Sequence, residues 1–125
     1  MKKKNILLVD DDETIGLTFE HQLIEAGFDV DVVESGEEAI EKLDKNSPYD
    51  LVITDLRMYG ESGVDVFKKA REKNVNTPVI IMSGFGADSS LFKEAMKLKP
   101  CAHALKPFSD EELLEKVRIC LEGAS

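Results

Sequence analysis

"ILLVDDDETI", residues 6–15, runs four consecutive apolar residues straight into Asp10, Asp11, Asp12 and Glu13. A short unbroken apolar run reads as a strand covered on both faces, the condition of strands in a parallel sheet with helices above and below. In open sheets of this kind the functional crevice lies beyond the carboxyl ends of the strands, where the strand order reverses. The four acids therefore fall where such a sheet would carry its site.

Four further apolar runs follow: "DVDVV" (29–33), "DLVITD" (50–55), "TPVIIMS" (77–83) and "CAHAL" (101–105), with helix-like segments between them. This alternation predicts an α/β fold of five βα units around a parallel sheet. Residues 29–33 alternate apolar and acidic, which places that strand at an edge. Asp12 is a favoured N-cap for the first helix and Gly27 closes it; Ser35 with Glu38 and Ser109 with Glu112 have capping-box spacing. Ile15, Thr18, Phe19, Gln22, Leu23 and Ala26 share one face of the first helix, while Leu17, His21 and Ile24 point to solvent. At 125 residues the chain reads as one domain, 1–125, with no room for an effector domain.

Lys and Arg number 16 against 25 Asp and Glu, for a net charge of −9, and the basic residues are scattered. Direct nucleic-acid binding is thereby excluded as an expectation. Lys2, Lys3 and Lys4 precede an apolar run too short for a signal peptide, and no membrane-spanning stretch is present. Cys101 and Cys120 show no metal-binding spacing and read as reduced, space-filling thiols of a cytoplasmic protein.

Asp10 and Asp11 end the first strand and Asp55 the third. In the order 2-1-3-4-5 these strands are neighbours about 4.8 Å apart, so their carboxylates can share one ion. Two carboxylates about 4 Å apart repel by about 4 kcal/mol at an effective dielectric of about 20, and an all-oxygen set of this kind suits Mg²⁺ or Mn²⁺. Strand four ends at Ser83, with Gly84 leaving room for a bulky anion; strand five ends at Lys106, a point charge for phosphate oxygens. Acids with a divalent ion, a hydroxyl and an ammonium at one sheet edge describe a site for phosphoryl transfer.

"LLVDDD", "VITDLRM", "IIMSG" and "LKPF", in this order and spacing, resemble the motifs of the receiver domain of two-component response regulators. The resemblance covers the whole chain and implies a flavodoxin-like, doubly wound (βα)₅ fold with strand order 2-1-3-4-5. It implies that Asp55 takes a phosphoryl group from a sensor histidine kinase or phosphotransfer protein. Asp10, Asp11, Asp55 and the carbonyl of Arg57 would then hold the metal, and Ser83, Gly84 and Lys106 the phosphoryl oxygens. It further implies a cis peptide before Pro107, a switch built on Ser83 and His103, and a signalling surface across residues 88–121. That surface would meet an effector domain or protein, or a second copy in a phosphorylation-dependent dimer. On this reading the domain is regulatory, cytoplasmic and not an enzyme beyond its own phosphotransfer and dephosphorylation. Tyr59, His103, Lys99 and Pro100 depart from the family's usual residues, and these departures bear on the signalling surface more than on the chemistry.

A rival reading takes Asp10, Asp12 and Thr14 as the D-x-D-x-T motif of haloacid-dehalogenase-type phosphatases, with Asp10 as nucleophile and Asp12 as general acid. That family needs a further acidic pair after its lysine, whereas the residues after Lys106 read as a single helix, and Asp55 would have no role.

Overall fold

Each of the five apolar runs becomes a strand and each is followed by a helix. The computed structural model describes residues 3–45, 49–56, 58, 60–84, 89–106 and 108–123. The elements are β1 (Asn5–Val9), α1 (Glu13–Glu25), β2 (Asp29–Val33), α2 (Gly36–Lys45), β3 (Leu51–Asp55), α3 (Gly63–Lys73), β4 (Val79–Ser83), α4 (Ser89–Lys97), β5 (Ala102–Leu105) and α5 (Asp110–Gly123). All strand pairs are parallel and the sheet order is β2-β1-β3-β4-β5, the flavodoxin-like doubly wound arrangement. The chain leaves β1 toward β2 on one side and crosses to β3 on the other, so the reversal of order opens a crevice between the β1 and β3 tips.

Successive residues along a strand face opposite sides, and here each side meets its own layer of helices. Leu7, Val9, Val52 and Ile81 pack against Leu43 of α2, Phe67 of α3 and Ala95 of α4. Ile6, Leu8, Ile53, Ile80 and Met82 pack against Phe19 and Leu23 of α1 and Leu113 and Val117 of α5. Full burial of one such side chain stabilises the fold by about 1.5–3 kcal/mol; β3 and β4, buried at every position, anchor the sheet. β2 is an edge strand with Asp29 and Asp31 exposed, as its alternation predicts.

α1 is rolled slightly from the expected stripe. Its buried residues are Gly16, Phe19 and Leu23, whereas Thr18 is exposed and donates its hydroxyl to the Thr14 carbonyl at 2.9 Å. Gly16 faces β2 on this buried side, where a Cβ would stand 3.4 Å from the Val32 side chain. Gly27 ends the helix at φ 100°, a left-handed turn that spares a side chain strain, with Phe28 N–H donating to the Leu23 carbonyl at 3.1 Å.

The cysteines correct the sequence reading. Cys101 and Cys120 form a disulfide, with Cα atoms 5.8 Å apart, within the span such a bond bridges. α5 runs back along the sheet after β5 and so returns Cys120 to the start of that strand. Cys120 is a buried member of the α5 core, as a space-filling role requires, but Cys101 is exposed. Among the described residues no helix is long and apolar enough to cross a membrane.

Candidate functional site

The acid run after β1 divides by direction. Asp10 turns inward and is 1% exposed; its Oδ1 accepts the Asp12 N–H at 2.9 Å and its backbone N–H donates to the Val33 carbonyl. Asp12 caps α1, its Oδ1 accepting the N–H groups of Thr14 and Ile15 at 3.0 and 3.2 Å, and Glu13 occupies the first turn, where the helix dipole favours a negative charge. Asp11 between them is exposed. The Oδ1 of Asp12, the general acid in the phosphatase reading, is thus engaged by the start of α1.

Asp55 ends β3 beside Met82 of β4 and is 8% exposed. Its backbone is held closely: the Thr54 hydroxyl donates to its carbonyl at 2.9 Å, and Gly63, first residue of α3, lies so near that a Cβ there would overlap that carbonyl oxygen. One carboxylate oxygen from each of Asp10, Asp11 and Asp55 lies within 4.8 Å of the others. Residues far apart in the chain thus meet because β1 and β3 pair in register.

Lys106 completes the group from β5. Its backbone N–H donates to the Ser83 carbonyl at 2.7 Å, which fixes where the side chain starts. Its ammonium donates to Asp10 Oδ2 at 2.8 Å and to Asp55 Oδ2 at 3.1 Å. Burial pushes the Asp55 carboxyl above the usual carboxylate range; Lys106 pulls the other way, and Asp10 and Asp11 add to the rise. Burial would lower the Lys106 ammonium, but hydrogen bonds and charges from Asp10 and Asp55 outweigh it and leave it above the ordinary lysine value. One ammonium against three carboxylates leaves an excess of negative charge that favours a cation, and the oxygen-only donor set fits a hard divalent ion such as Mg²⁺ or Mn²⁺.

Ser83 ends β4 and is 2% exposed; its hydroxyl is 2.7 Å from Nε2 of His103 on β5. The His103 ring also meets Phe92 of α4 edge-on at 4.7 Å. Burial lowers the His103 pKa and the charge of Lys116 on α5 lowers it further. Gly84 is exposed, with open space where a Cβ would stand. His21 lies on the outer face of α1, paired with Glu25 at 3.2 Å. Arg57, Tyr59, Pro107 and residues 85–88 lie outside the described residues.

Gly63 and Arg71 were not singled out by the sequence. The Arg71 guanidinium of α3 donates to the carbonyls of Thr77, Leu98 and Lys99 at 2.9, 3.3 and 3.2 Å and lies over the Phe67 ring. It thereby holds the turn into β5, where Lys99 takes a left-handed φ of 60°. No local pattern marks either residue, since each matters through a partner distant in sequence.

The response regulator receiver domain family model matches residues 6–118. The chain is 34% identical over 121 residues to the transcriptional regulatory protein ResD of Bacillus subtilis, covering 96% of this chain and 49% of ResD. It is 32% identical over 117 residues to the cell cycle transcriptional regulator CtrA of Caulobacter vibrioides, covering 90% of this chain and 48% of CtrA. The chain spans about half the length of the curated relatives it matches. The crystal structure of a response regulator receiver protein from Sinorhizobium medicae superimposes with a TM-score of 0.87 at 33% identity, covering 99% of this chain and 98% of that one.

Proposed function

Because this chain belongs to the response regulator receiver domain family, and so to two-component signalling, we propose that Asp55 is its phosphoacceptor. The observation that carries the reading is the placement of a single ammonium, Lys106, across Asp10 and Asp55, with Asp11 beside them. Lys106 engages only Oδ2 of Asp55; its Oδ1 has no hydrogen-bond partner among the described residues and is the oxygen best placed to attack. Attack on the phosphorus of a phosphohistidine forms an O–P bond as the N–P bond breaks, and the departing imidazole keeps its electron pair and takes a proton from solvent.

The chain's own residues position and neutralise. Asp10, Asp11 and Asp55, with the carbonyl of Arg57, would hold Mg²⁺ (or Mn²⁺), which supplies positive charge for the phosphoryl oxygens. Lys106 turns its ammonium from the carboxylates to the new phosphoryl group, and Ser83 donates its hydroxyl to another oxygen beside the open space at Gly84. The upward shift at Asp55 belongs to the metal-free site, and a bound cation favours the ionised carboxylate that acts as nucleophile. Ser83 and His103 form the switch.

The donor is a sensor histidine kinase or phosphotransfer protein, in the cytoplasm. The response is read across α4, β5 and α5, where Leu105 and Ile119 are exposed, by an effector domain or protein or through a phosphorylation-dependent dimer; the matched relatives are named as transcriptional regulators. Residues 1–125 act as one regulatory unit whose only chemistry is its own phosphorylation and dephosphorylation. The test is incubation with Mg²⁺ and a small phosphodonor, followed by mapping of the added phosphoryl mass. Label on Asp55, lost in Asp55→Asn, is the expected result; label on Asp10 would return the phosphatase reading.

A further inference from the structure

The Ser83 hydroxyl is paired with an imidazole. Ser83 is almost wholly buried and its Oγ lies 2.7 Å from Nε2 of His103, on the same face of the sheet, because His103 pairs with Ile81, two residues before Ser83. A hydroxyl has one proton to donate. If Nε2 is bare, that proton points at the imidazole; if Nε2 carries a proton, the imidazole donates to Oγ and the hydroxyl proton is free to turn elsewhere.

We propose that His103 is a positioning residue whose proton sets the direction of the Ser83 hydroxyl, so that phosphoryl binding at Asp55 and proton binding at His103 Nε2 reinforce each other. This rests on the phosphoacceptor reading of Asp55. In the resting state Ser83 donates to a bare Nε2. When a phosphoryl group arrives, Ser83 must donate to one of its oxygens; Nε2 then takes a proton from solvent and donates to Oγ, and the chain Nε2–H to Oγ–H to phosphoryl oxygen is complete. The only bond formed is Nε2–H, its proton supplied by solvent; the Ser83 hydroxyl keeps its own proton and turns from the imidazole to the phosphoryl oxygen.

The surroundings set the resting state. Phe92 of α4 covers the ring, and the charged residues of that helix, Lys93, Glu94 and Lys97, are exposed. Ser83 is its partner from β4. Lys116 of α5 is the charge that acts on the ring, and it opposes a second positive charge there. The imidazole is thus neutral until negative charge is added nearby. A phosphoryl dianion at Asp55 supplies that charge, and linkage makes the effect reciprocal.

The test uses the 125-residue chain with Mg²⁺ and beryllium trifluoride, a tetrahedral phosphoryl mimic, titrated between pH 8 and pH 6. The wild-type chain is expected to bind the mimic about fivefold more tightly at the lower pH, relative to His103→Phe measured alongside, a factor typical of coupled sites. Ser83→Ala should lose the same pH-dependent increment, since the relay needs the hydroxyl. Nitrogen NMR of the wild-type imidazole should show Nε2 bare in the free chain at pH 7.5 and protonated with the mimic bound. Wild type and His103→Phe sharing one pH profile, or Nε2 protonated in both states, would overturn the relay and leave the phosphoacceptor reading intact. Absence of binding at every pH would overturn both.

Discussion

Lys106 is the residue on which the site's electrostatics turn. Its side chain is about four-fifths buried, and its ammonium lies between two carboxylates, one of them on a fully buried side chain. Removing one partner of such a pair leaves uncompensated charge, at a cost of about 3 kcal/mol. Lys106→Met is therefore expected to lower metal-free stability by about that amount in urea denaturation at pH 7, and millimolar Mg²⁺ should restore more stability to the variant than to the wild type. Asp55 gives a pH signature of opposite sign to a salt-bridged acid. Its native pKa is raised, so the stability tied to it is fully present below the ordinary carboxylate range and is lost as pH rises through the raised value. Asp55→Asn should accordingly raise the urea midpoint of the metal-free chain at pH 7 and flatten that decline; an unchanged pH profile would contradict the burial argument. The acids, Ser83 and Lys106 were legible in the sequence because each ends an apolar run, and strand ends are visible without any knowledge of partners. The bond from Ser83 to His103 was not legible, since it depends on β4–β5 register and on which way two side chains turn.

At the scale of elements, the join between β3 and α3 holds the Asp55 tip. Ser62 caps α3 in a complete capping box, its hydroxyl accepting from Val64 and Asp65 while the Asp65 carboxylate accepts the Ser62 N–H at 2.9 Å. The usual sequence signature has Glu or Gln at the third position; Asp65, one methylene shorter, closes the same ring and passes unseen, whereas Ser35 with Glu38 and Ser109 with Glu112 match the pattern and do cap their helices. Gly63 follows the cap with its Cα against the Asp55 carbonyl, and backbone cannot yield there as a side chain would. Gly63→Ala is expected to destabilise the domain by about 2 kcal/mol, the range of overpacking, and to weaken Mg²⁺ binding by displacing the β3 tip; a variant with wild-type metal affinity would show that the tip is held by other means. The turn from α4 into β5 offers the converse case. Lys99 stands in a left-handed conformation that costs a side chain about 1 kcal/mol, and Lys99→Gly should recover about that in thermal or urea unfolding while Arg71 keeps its grip on the carbonyl.

Across the whole molecule the strand order was readable because five apolar runs of matched length, each followed by a helix, admit few arrangements, and only a reversal beside the first strand brings Asp10 and Asp55 together. The disulfide was not readable: Cys101 and Cys120 stand nineteen positions apart, and their approach follows from the length and direction of α5. That bond ties the start of β5 to the far part of α5, two elements proposed to carry the signal. A loop of this size removes about 3 kcal/mol of chain entropy from the unfolded state, and Cys101, being exposed, admits a reductant. Treatment with a phosphine reductant is therefore expected to lower the urea midpoint by the equivalent of about 3 kcal/mol and to speed amide exchange in β5 and the second half of α5 ahead of β1 and β3. A Cys101→Ser, Cys120→Ala double variant should match the reduced chain and be insensitive to the reductant. Equal midpoints for oxidised and reduced wild type would mean that α5 is held by its core packing, Leu113 and Val117 included, and the staple would then have no mechanical part in how this face responds.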